Sequence, residues 1–196
     1  MIFMLSKINK DLSAFTKDGD VCAKVKCLII SHAFHLVVFY RIGVALASIP
    51  LVGSLIRVLL EYFIRIVYSS DISLKSKIGP GLMIVHGHDI VIGGSVRIGK
   101  SCKILNGVTL GNKDTESSIN QQPTVGDNVV IGSGAKLLGL IHIGDNVVIG
   151  ANSVVLNSFQ SDVVIAGIPA RVVKYNDSKC DPTCTHVNIG YGYWSP

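Results

Sequence analysis

An aliphatic or similarly apolar residue returns every six positions through most of the second half of the chain. These positions are Ile72, Ile78, Ile84, Ile90, Val96, Cys102 and Val108, and then Val125, Ile131, Leu137, Ile143, Ile149 and Val155. A period of six matches neither the 3.6 of a helix nor the two of a single strand. It is typical of short strands joined by bends, three strands to a coil, and stacked as a parallel β-helix. Glycine often follows the aliphatic residue, as in Ile131-Gly132, where it permits a tight bend.

The same rhythm predicts the register of the coils. With three strands of six residues in each coil, Ile72, Ile90 and Val108 are expected to share one face. The rhythm is interrupted between Val108 and Val125, where residues 112–123 are polar and lack aliphatic spacing. This segment is therefore predicted to be a loop ejected from the third coil. Ejected loops on rigid scaffolds often carry function.

The 196-residue chain divides into three parts. Residues 1–70 are predicted to form an α-helical region, residues 71–174 the β-helix domain, and residues 175–196 a tail. The fold class is therefore mainly β, with a short helical region at the N-terminal end.

Within the helical region we expect two helices, over residues 21–48 and 51–68, because Pro50 would break a continuous one. A shorter helix is expected over residues 7–15. The second long helix carries one polar stripe, formed by Arg57, Glu61 and Arg65, on an otherwise apolar surface. The favoured prediction is that these helices pack on each other and on the first coil, with peripheral membrane contact as the alternative.

Composition narrows the function classes. The chain is 48% hydrophobic, and its longest uncharged stretches, residues 27–40 and 42–56, are shorter than the roughly 20 residues that cross a bilayer. No signal peptide is evident, and five scattered cysteines indicate a reducing compartment, so we expect a cytoplasmic protein, with the inner face of the membrane as the alternative location. A net charge of +5 without clustering does not indicate a nucleic-acid partner.

Three segments within the repeats, and one upstream of them, allow the chain to be compared with a known protein family. They are residues 71–86 (DISLKSKIGPGLMIVH), residues 132–139 (GSGAKLLG) and the closing residues 166–173 (AGIPARVV), with Tyr40-Arg41-Ile42-Gly43 upstream. Over residues 35–174 the chain resembles the hexapeptide-repeat acyltransferases, and within them the serine O-acetyltransferases. The resemblance implies a left-handed coil, acetyl-CoA as co-substrate, and a homotrimer with active sites between subunits. It predicts an acetyl-CoA-dependent O-acetyltransferase.

His86 is the predicted general base. Transfer of acetyl from a thioester to an alcohol needs a base because a neutral hydroxyl is a poor nucleophile, and imidazole titrates in the useful range. The resemblance assigns Asp71 as the partner that orients this imidazole. The coil spacing brings Asp71 close to Asp89, so Asp71 and His86 are expected near one corner of adjacent coils.

The resemblance also assigns positions that contact the cofactor. Backbone at Ser133 and Ala151 is expected beside the pantetheine arm, with Gly132 and Gly150 allowing close approach, and Arg171 and Lys174 are candidates for the nucleotide phosphates. No metal is expected. Cys180, Cys184 and His186 lie close in sequence, but their spacing is not a zinc pattern.

The acceptor prediction comes from departures from the family. Val85 stands where serine acetyltransferases have an aspartate, and Gln121-Gln122 replace an Arg-His pair, while His88 is a further candidate contact. Neutral side chains suit hydroxyl groups better than a zwitterion. The favoured acceptor is therefore a sugar hydroxyl in a capsule, exopolysaccharide or O-antigen. The alternatives are a serine O-acetyltransferase of cysteine biosynthesis and, from a different class, a non-catalytic trimeric scaffold or a metal-dependent hydratase on the same coils.

Overall fold

The computed structural model describes residues 2–16, 20–114, 116 and 121–175. In these ranges the helices are α1 (Ile2–Thr16), α2 (Val21–Ile30), α3 (His32–Leu46) and α4 (Gly53–Tyr68). The strands are β1 (Asp71–Ile72), β2 (Lys77–Ile78), β3 (Met83–Ile84), β4 (Val91–Ile92), β5 (Arg97–Ile98), β6 (Lys103–Ile104), β7 (Thr109–Gly111), β8 (Thr124–Val125), β9 (Val130–Ile131), β10 (Lys136–Leu138), β11 (His142–Ile143), β12 (Val148–Ile149), β13 (Val154–Val155), β14 (Val163–Gly167) and β15 (Ala170–Tyr175).

The strands form the three faces of a parallel β-helix. The first sheet has the order β1-β4-β7-β10-β13, the second β11-β8-β5-β2, and the third β15-β14-β12-β9-β6-β3. Every pairing between successive coils is parallel, and only β15 returns antiparallel to β14 to close the last coil. The side chains of Ile92, Ile104, Leu110, Ile131 and Leu137 are fully buried inside the coils. The repeat therefore builds one continuous apolar core, as predicted.

The predicted register needs a correction at the first coil. Ile72 pairs with Ile92 and not with Ile90, and Ile78 pairs with Ile98, so this coil holds 20 residues where 18 were expected. A later coil has the expected 18. The extra two residues were hidden because the corner positions, such as Ile90, are as apolar and as buried as the strand positions.

The ejected loop lies between β7, which ends at Gly111, and β8, which begins at Thr124. Across it, Arg97 pairs with Thr124 and the coil spacing rises to 27 residues. The loop therefore leaves from the corner between the first and second sheets, and the register on either side of it is undisturbed.

The helix predicted over residues 21–48 is broken at Ser31, which ends α2 and begins α3. The Ser31 N–H donates to the carbonyl of Cys27, while its hydroxyl accepts from the N–H of Phe34, so one residue caps both helices. The two helices meet at 78°. Sequence hydropathy alone missed this break because both helices are apolar.

A buried ion pair joins the helical region to the coils. Asp11 of α1 is fully buried and accepts two hydrogen bonds from the guanidinium of Arg41 in α3, at 2.8 and 3.1 Å. Arg41 also donates to the carbonyls of Ile78 and Gly79, and Asp11 accepts from the N–H of Leu82. The pair therefore fixes α1 and α3 against the first coil.

Helix α4 turns its polar stripe toward the coils. Glu61 accepts from the N–H of Leu74 at 2.8 Å, and Arg65 pairs with Asp71. The opposite face is apolar and exposed, with Leu55, Val58, Leu59, Tyr62 and Ile66 each about 60% accessible (58–64%). Packing of the helices on each other and on the coil is thus observed for the inner face, while the outer face is uncovered in the single chain.

None of the described helices is by itself long and apolar enough to cross a membrane; α2 and α3 together meet the length and composition test as a bent pair.

Candidate active site

One edge of the β-helix, between the third and the first sheet, is built from left-handed residues. At equivalent positions of successive coils the φ angle is positive: Ser69 (47°), Asp89 (56°), Gly107 (69°), Gly134 (73°) and Asn152 (55°). Backbone N–H groups along this edge donate to the coil below, as from Asp89 to the carbonyl of Ser69 at 2.9 Å and from Asn152 to that of Ser133 at 2.8 Å. We call this the histidine edge, because both predicted histidines lie on it.

The two extra residues of the first coil fall on the histidine edge. The N–H of Val85 donates to the carbonyl of Ile104 at 3.0 Å, and the N–H of Gly107 donates to that of His88 at 3.4 Å. Between these two hydrogen bonds, the first coil contains two residues, His86 and Gly87, that have no counterpart in the next coil. His86 therefore projects from a bulge at the corner, which explains its exposure. A bulge of this kind re-aims a side chain at the end of a strand.

Helix α3 supports the bulge from beneath. A Cβ atom on Gly87 would lie 3.2 Å from the Cα of Ala33 and 3.2 Å from Cδ2 of Leu36. Only a residue without a side chain fits this contact without displacing a neighbour. The first turn of α3 therefore positions the backbone between His86 and His88.

The two histidines are neighbours without being bonded to each other. Their ring centroids are 6.3 Å apart, and both side chains are exposed. His86 makes no hydrogen bond within the described part of the chain. Its imidazole is therefore open to a substrate or to a neighbouring subunit.

Asp71 lies at the start of β1, two residues beyond the histidine edge. Its N–H donates to the carbonyl of Ile90, and its Oδ2 accepts from Nη2 of Arg65 at 2.9 Å, in an ion pair in which both side chains are about half exposed. In the described residues Asp71 is bonded to Arg65 and not to His86. The sequence does not predict this partner, although it places Arg65 on the polar stripe of α4.

The predicted cofactor positions stack on His88 along the histidine edge. Asn106 follows His88 one coil on, and Ser133 and Ala151 come next; the hydroxyl of Ser133 donates to Oδ1 of Asn106 at 3.0 Å. The predicted base and the predicted pantetheine positions thus lie on one edge of the molecule. The backbone N–H groups of Ser133 and Ala151 donate no hydrogen bond within the described residues.

The two glycines beside these positions have a structural role. A Cβ on Gly132 would lie 2.7 Å from the N of Ala151, and one on Gly150 would lie 2.9 Å from the Cβ of Ala166. Glycine is therefore required here by the stacking of the coils, whether or not a cofactor approaches. Arg171 and Lys174 lie on β15 with exposed side chains.

The predicted acceptor residues are spread over different environments. Val85 is half-buried at the foot of the bulge, His88 is exposed on the edge, and Gln121 is exposed where the chain re-enters the coils. Oε1 of Gln122 accepts from the N–H of Ser95 at 2.8 Å, so this side chain is bound to the preceding coil. The sequence does not single out Asn112, at the start of the ejected loop. Its Oδ1 atom is buried and has no hydrogen-bond partner among the described residues.

No group of three or more His, Cys, Asp or Glu side chains is arranged to hold a metal ion in the part of the chain that the structure describes. Cys180, Cys184 and His186 lie outside the described residues.

Tyr68 precedes Ser69, the first left-handed residue of the histidine edge. The ring centroids of Tyr68 and His32 are 4.3 Å apart, and burial raises the pKa of the Tyr68 hydroxyl.

Comparison with known proteins identifies the repeat and the relatives. Residues 122–157 match the family model described as bacterial transferase hexapeptide (six repeats). The chain is 36% identical over 193 residues to a serine acetyltransferase of Buchnera aphidicola, covering 95% of this chain and 70% of the relative. It is 37% identical over 170 residues to a serine acetyltransferase of Synechococcus elongatus, covering 86% and 68%.

Solved structures give the same result. The serine acetyltransferase of Neisseria gonorrhoeae superposes with a TM-score of 0.80 at 31% identity, over 89% of this chain and 68% of that one. A serine acetyltransferase in complex with CoA superposes with a TM-score of 0.76 at 36% identity, over 87% and 69%. These matches confirm the predicted fold class of hexapeptide coils preceded by helices.

The prediction of a sugar acceptor is wrong. Relatives that cover most of the chain at 36–37% identity are serine acetyltransferases, and they support the alternative that the sequence had left open. Three neutral side chains, at positions 85, 121 and 122, were not sufficient evidence for a different acceptor, because at least one of them, Gln122, is bound to the coil itself. The chain is a hexapeptide-repeat acetyltransferase and belongs to the serine acetyltransferase family.

Proposed function

We propose that the protein transfers the acetyl group of acetyl-CoA to the hydroxyl of L-serine, giving O-acetylserine and CoA. The relatives carry this proposal, together with one observation: His86 and the backbone of Ser133 and Ala151 lie on the same edge of the β-helix. A thioester bound along that edge brings its carbonyl toward His86.

His86 acts as the general base. It takes the proton of the serine hydroxyl as the oxygen attacks the thioester carbonyl, the C–S bond then breaks, and the thiolate of CoA leaves and takes up a proton. A positioned base of this kind contributes roughly 10²–10⁴-fold to the rate. The open imidazole, which has no hydrogen bond within the described chain, supports this role.

The ion pair of Arg65 and Asp71 supplies the charges that a zwitterion needs. A guanidinium binds a carboxylate with two parallel hydrogen bonds, and a carboxylate accepts from an ammonium. Oδ1 of Asp71 accepts no hydrogen bond among the described residues, and both side chains are accessible. Arg65 therefore binds the serine carboxylate, and Asp71 binds the ammonium or orients His86. In this proposal the charged contacts to serine come from α4 and β1, and not from Gln121 and Gln122 at the end of the ejected loop.

Self-association completes the site. The histidine edge is exposed at His86, His88 and Ala151 and half-buried at Asn106 and Ser133, and in one chain it offers a thioester only one wall. The uncovered apolar face of α4, with Leu55, Leu59 and Ile66 among its residues, is the kind of surface that protein–protein contact buries. A homotrimer, the usual closed assembly for such coils, places a second chain against this edge.

The test is an acetyl-transfer assay with purified protein, acetyl-CoA and L-serine, following CoA release and identifying O-acetylserine by mass spectrometry. Ethanolamine lacks the carboxylate, 3-hydroxypropionate lacks the ammonium, and L-alanine lacks the hydroxyl. We expect turnover with L-serine, much weaker turnover with the first two, and none with L-alanine. Equal rates with L-serine and ethanolamine, or no serine-dependent release of CoA, would refute the proposal.

A further inference from the structure

A groove of about 740 Å³ lies on the opposite side of the molecule from the histidine edge. Its walls are α1 and α3 on one side and the outer face of the second sheet on the other. His86, Ser133 and Ala151 do not line it. A volume of this size is typical of a site for a small organic ligand.

The floor of the groove is apolar. It is formed by Met4 of α1 and by Val44 and Ala45 of α3, whereas the side chains of Ile78, Ile98 and Val125 on the second sheet are buried inside the coils. Val44 is 37% exposed, so apolar surface is open to the groove and not covered by the protein itself. An alkyl chain or an aromatic ring laid along this floor would remove that surface from water.

The rim of the groove is cationic. Lys77 of β2 and Arg97 of β5 both line it, are exposed, and pair directly in register on adjacent coils. Like charges placed opposite each other on neighbouring strands repel and destabilise a sheet. The next two residues of the same row, Thr124 and His142, are not acidic, so this row contains no counter-charge.

Two more cations reach the groove from the helices. Lys7 of α1 and Arg41 of α3 also line it, and Arg41 is neutralised by Asp11. Burial and then the Arg41 guanidinium lower the pKa of Lys7. The positive charge of Lys7, Lys77 and Arg97 is thus concentrated around an apolar floor.

We propose that this groove binds an amphipathic anion, with a carboxylate or phosphate head held by Lys77 and Arg97 and an apolar chain lying on Met4, Val44 and Ala45. An anionic head relieves the repulsion between the two cations, and the chain covers the exposed floor. The site is separate from the acetyl-transfer site and does not depend on the acceptor proposed above.

The test uses the full chain and isothermal titration calorimetry with four probes: decanoate, decyl phosphate, the neutral decanol, and inorganic phosphate. We expect at least one of the two alkyl anions to bind, with an affinity that falls as salt is raised, and about tenfold weaker binding of decanol and of phosphate alone. The preferred alkyl anion identifies the head group.

Three variants locate the binding. Arg97→Gln removes half of the cation pair, and Val44→Glu places a carboxylate on the exposed floor; each is expected to weaken the alkyl anion about tenfold, which corresponds to about 1.4 kcal/mol. Lys26→Gln removes a cation from the exposed helix α2, away from the groove, and is the matched control that leaves binding unchanged. Circular dichroism verifies that each variant is folded.

Binding of decanol as tight as decanoate would overturn the anionic part of the proposal, and binding of phosphate as tight as decyl phosphate would overturn the apolar part. No binding of either alkyl anion, or equal weakening by Lys26→Gln and Arg97→Gln, would overturn the site itself.

Discussion

Nη2 of Arg65 donates to Oδ2 of Asp71 at 2.9 Å, so that the last turn of α4 is bonded to the first residue of the first coil. Both side chains are about half exposed at this junction. An exposed ion pair of this kind contributes little to stability, with a median of about 0–1 kcal/mol. Its position near the bulge that carries His86 is the basis of the role in acceptor binding that we propose for it.

The first prediction follows from that pair. Arg65→Gln should raise the KM for L-serine by at least about tenfold and leave the KM for acetyl-CoA unchanged, because a lost hydrogen bond to a charged group costs about 1.5–3 kcal/mol. Steady-state kinetics with each substrate varied in turn measures both constants. Arg57→Gln, two turns earlier on the same polar stripe, is the matched control. An equal effect of the two variants would show that the role of Arg65 is structural.

The second prediction concerns the base. His86→Ala should lower kcat by about 10²–10⁴-fold while CoA binding measured by calorimetry persists, because the imidazole acts on the acceptor hydroxyl. Asp71→Asn should have a smaller effect, since it leaves the base in place. His142→Ala, an exposed histidine of the second sheet, is the control and should be close to wild type. Wild-type turnover by His86→Ala would exclude the mechanism.

The repeat predicted the coils but not the bulge that bears His86, the predicted base. Strand positions and corner positions are both aliphatic, so a two-residue shift from Ile90 to Ile92 leaves the pattern looking regular. The pairing of Ile72 with Ile92 reveals two additional residues, and the backbone hydrogen bonds of Val85 and Gly107 identify them as His86 and Gly87. The spacing of aliphatic residues could therefore give the architecture, while the geometry of the candidate site depended on contacts between coils.

Contacts between distant segments were likewise invisible in the sequence. Asp11, on the first helix, is 30 residues from its partner Arg41 and 71 residues from Leu82, whose N–H it also accepts. Gln122 is 27 residues from Ser95. Neither Asp11 nor Gln122 belongs to a motif that specifies such a bond, and Gln122 was consequently assigned to the acceptor.

The third prediction tests the support of the bulge by α3. Gly87→Ala brings a Cβ to 3.2 Å from Ala33, which a small adjustment relieves, whereas Gly87→Val adds two methyl groups in the same place. We expect Gly87→Ala to lower kcat a few-fold and Gly87→Val by about 10²-fold, because a displacement of about 1 Å at a catalytic group costs about that much.

The control for this series is Gly111→Ala, since a Cβ at Gly111 meets nothing within 4 Å. It should leave kcat unchanged in the same assay. Normal kcat in Gly87→Val, with unaltered thermal unfolding, would show that the bulge is not held by the helix.

The fourth prediction concerns the buried ion pair. Asp11→Ala leaves the guanidinium of Arg41, whose side chain is 3% exposed, without its counter-charge, and removal of one partner of a buried pair costs about 3–5 kcal/mol. The free energy of unfolding from urea titration should fall by that amount. Lys10→Ala, at the neighbouring position of α1, should change it by less than about 0.5 kcal/mol. A loss below 1 kcal/mol for Asp11→Ala would contradict the structural role of the pair.

The fifth prediction concerns Cys102, which is 1% exposed at a corner of the coils. Burial raises the pKa of its thiol from 9.0 to about 11. Between pH 9 and 11 the folded protein holds this thiol neutral while the unfolded chain ionises it. The contribution of the neutral thiol to the free energy of unfolding is therefore complete below pH 9 and is lost as the pH rises through about 11.

In the native state at pH 8.5, peptide mapping after iodoacetamide treatment should find the exposed Cys22 alkylated and Cys102 unmodified. Urea titrations between pH 8 and pH 11 should show a steeper loss of stability in the wild type than in Cys102→Ala, by about 2 kcal/mol in total. Parallel curves for the two proteins, or alkylation of Cys102 at the rate of Cys22, would mean that this corner opens to solvent in the native state.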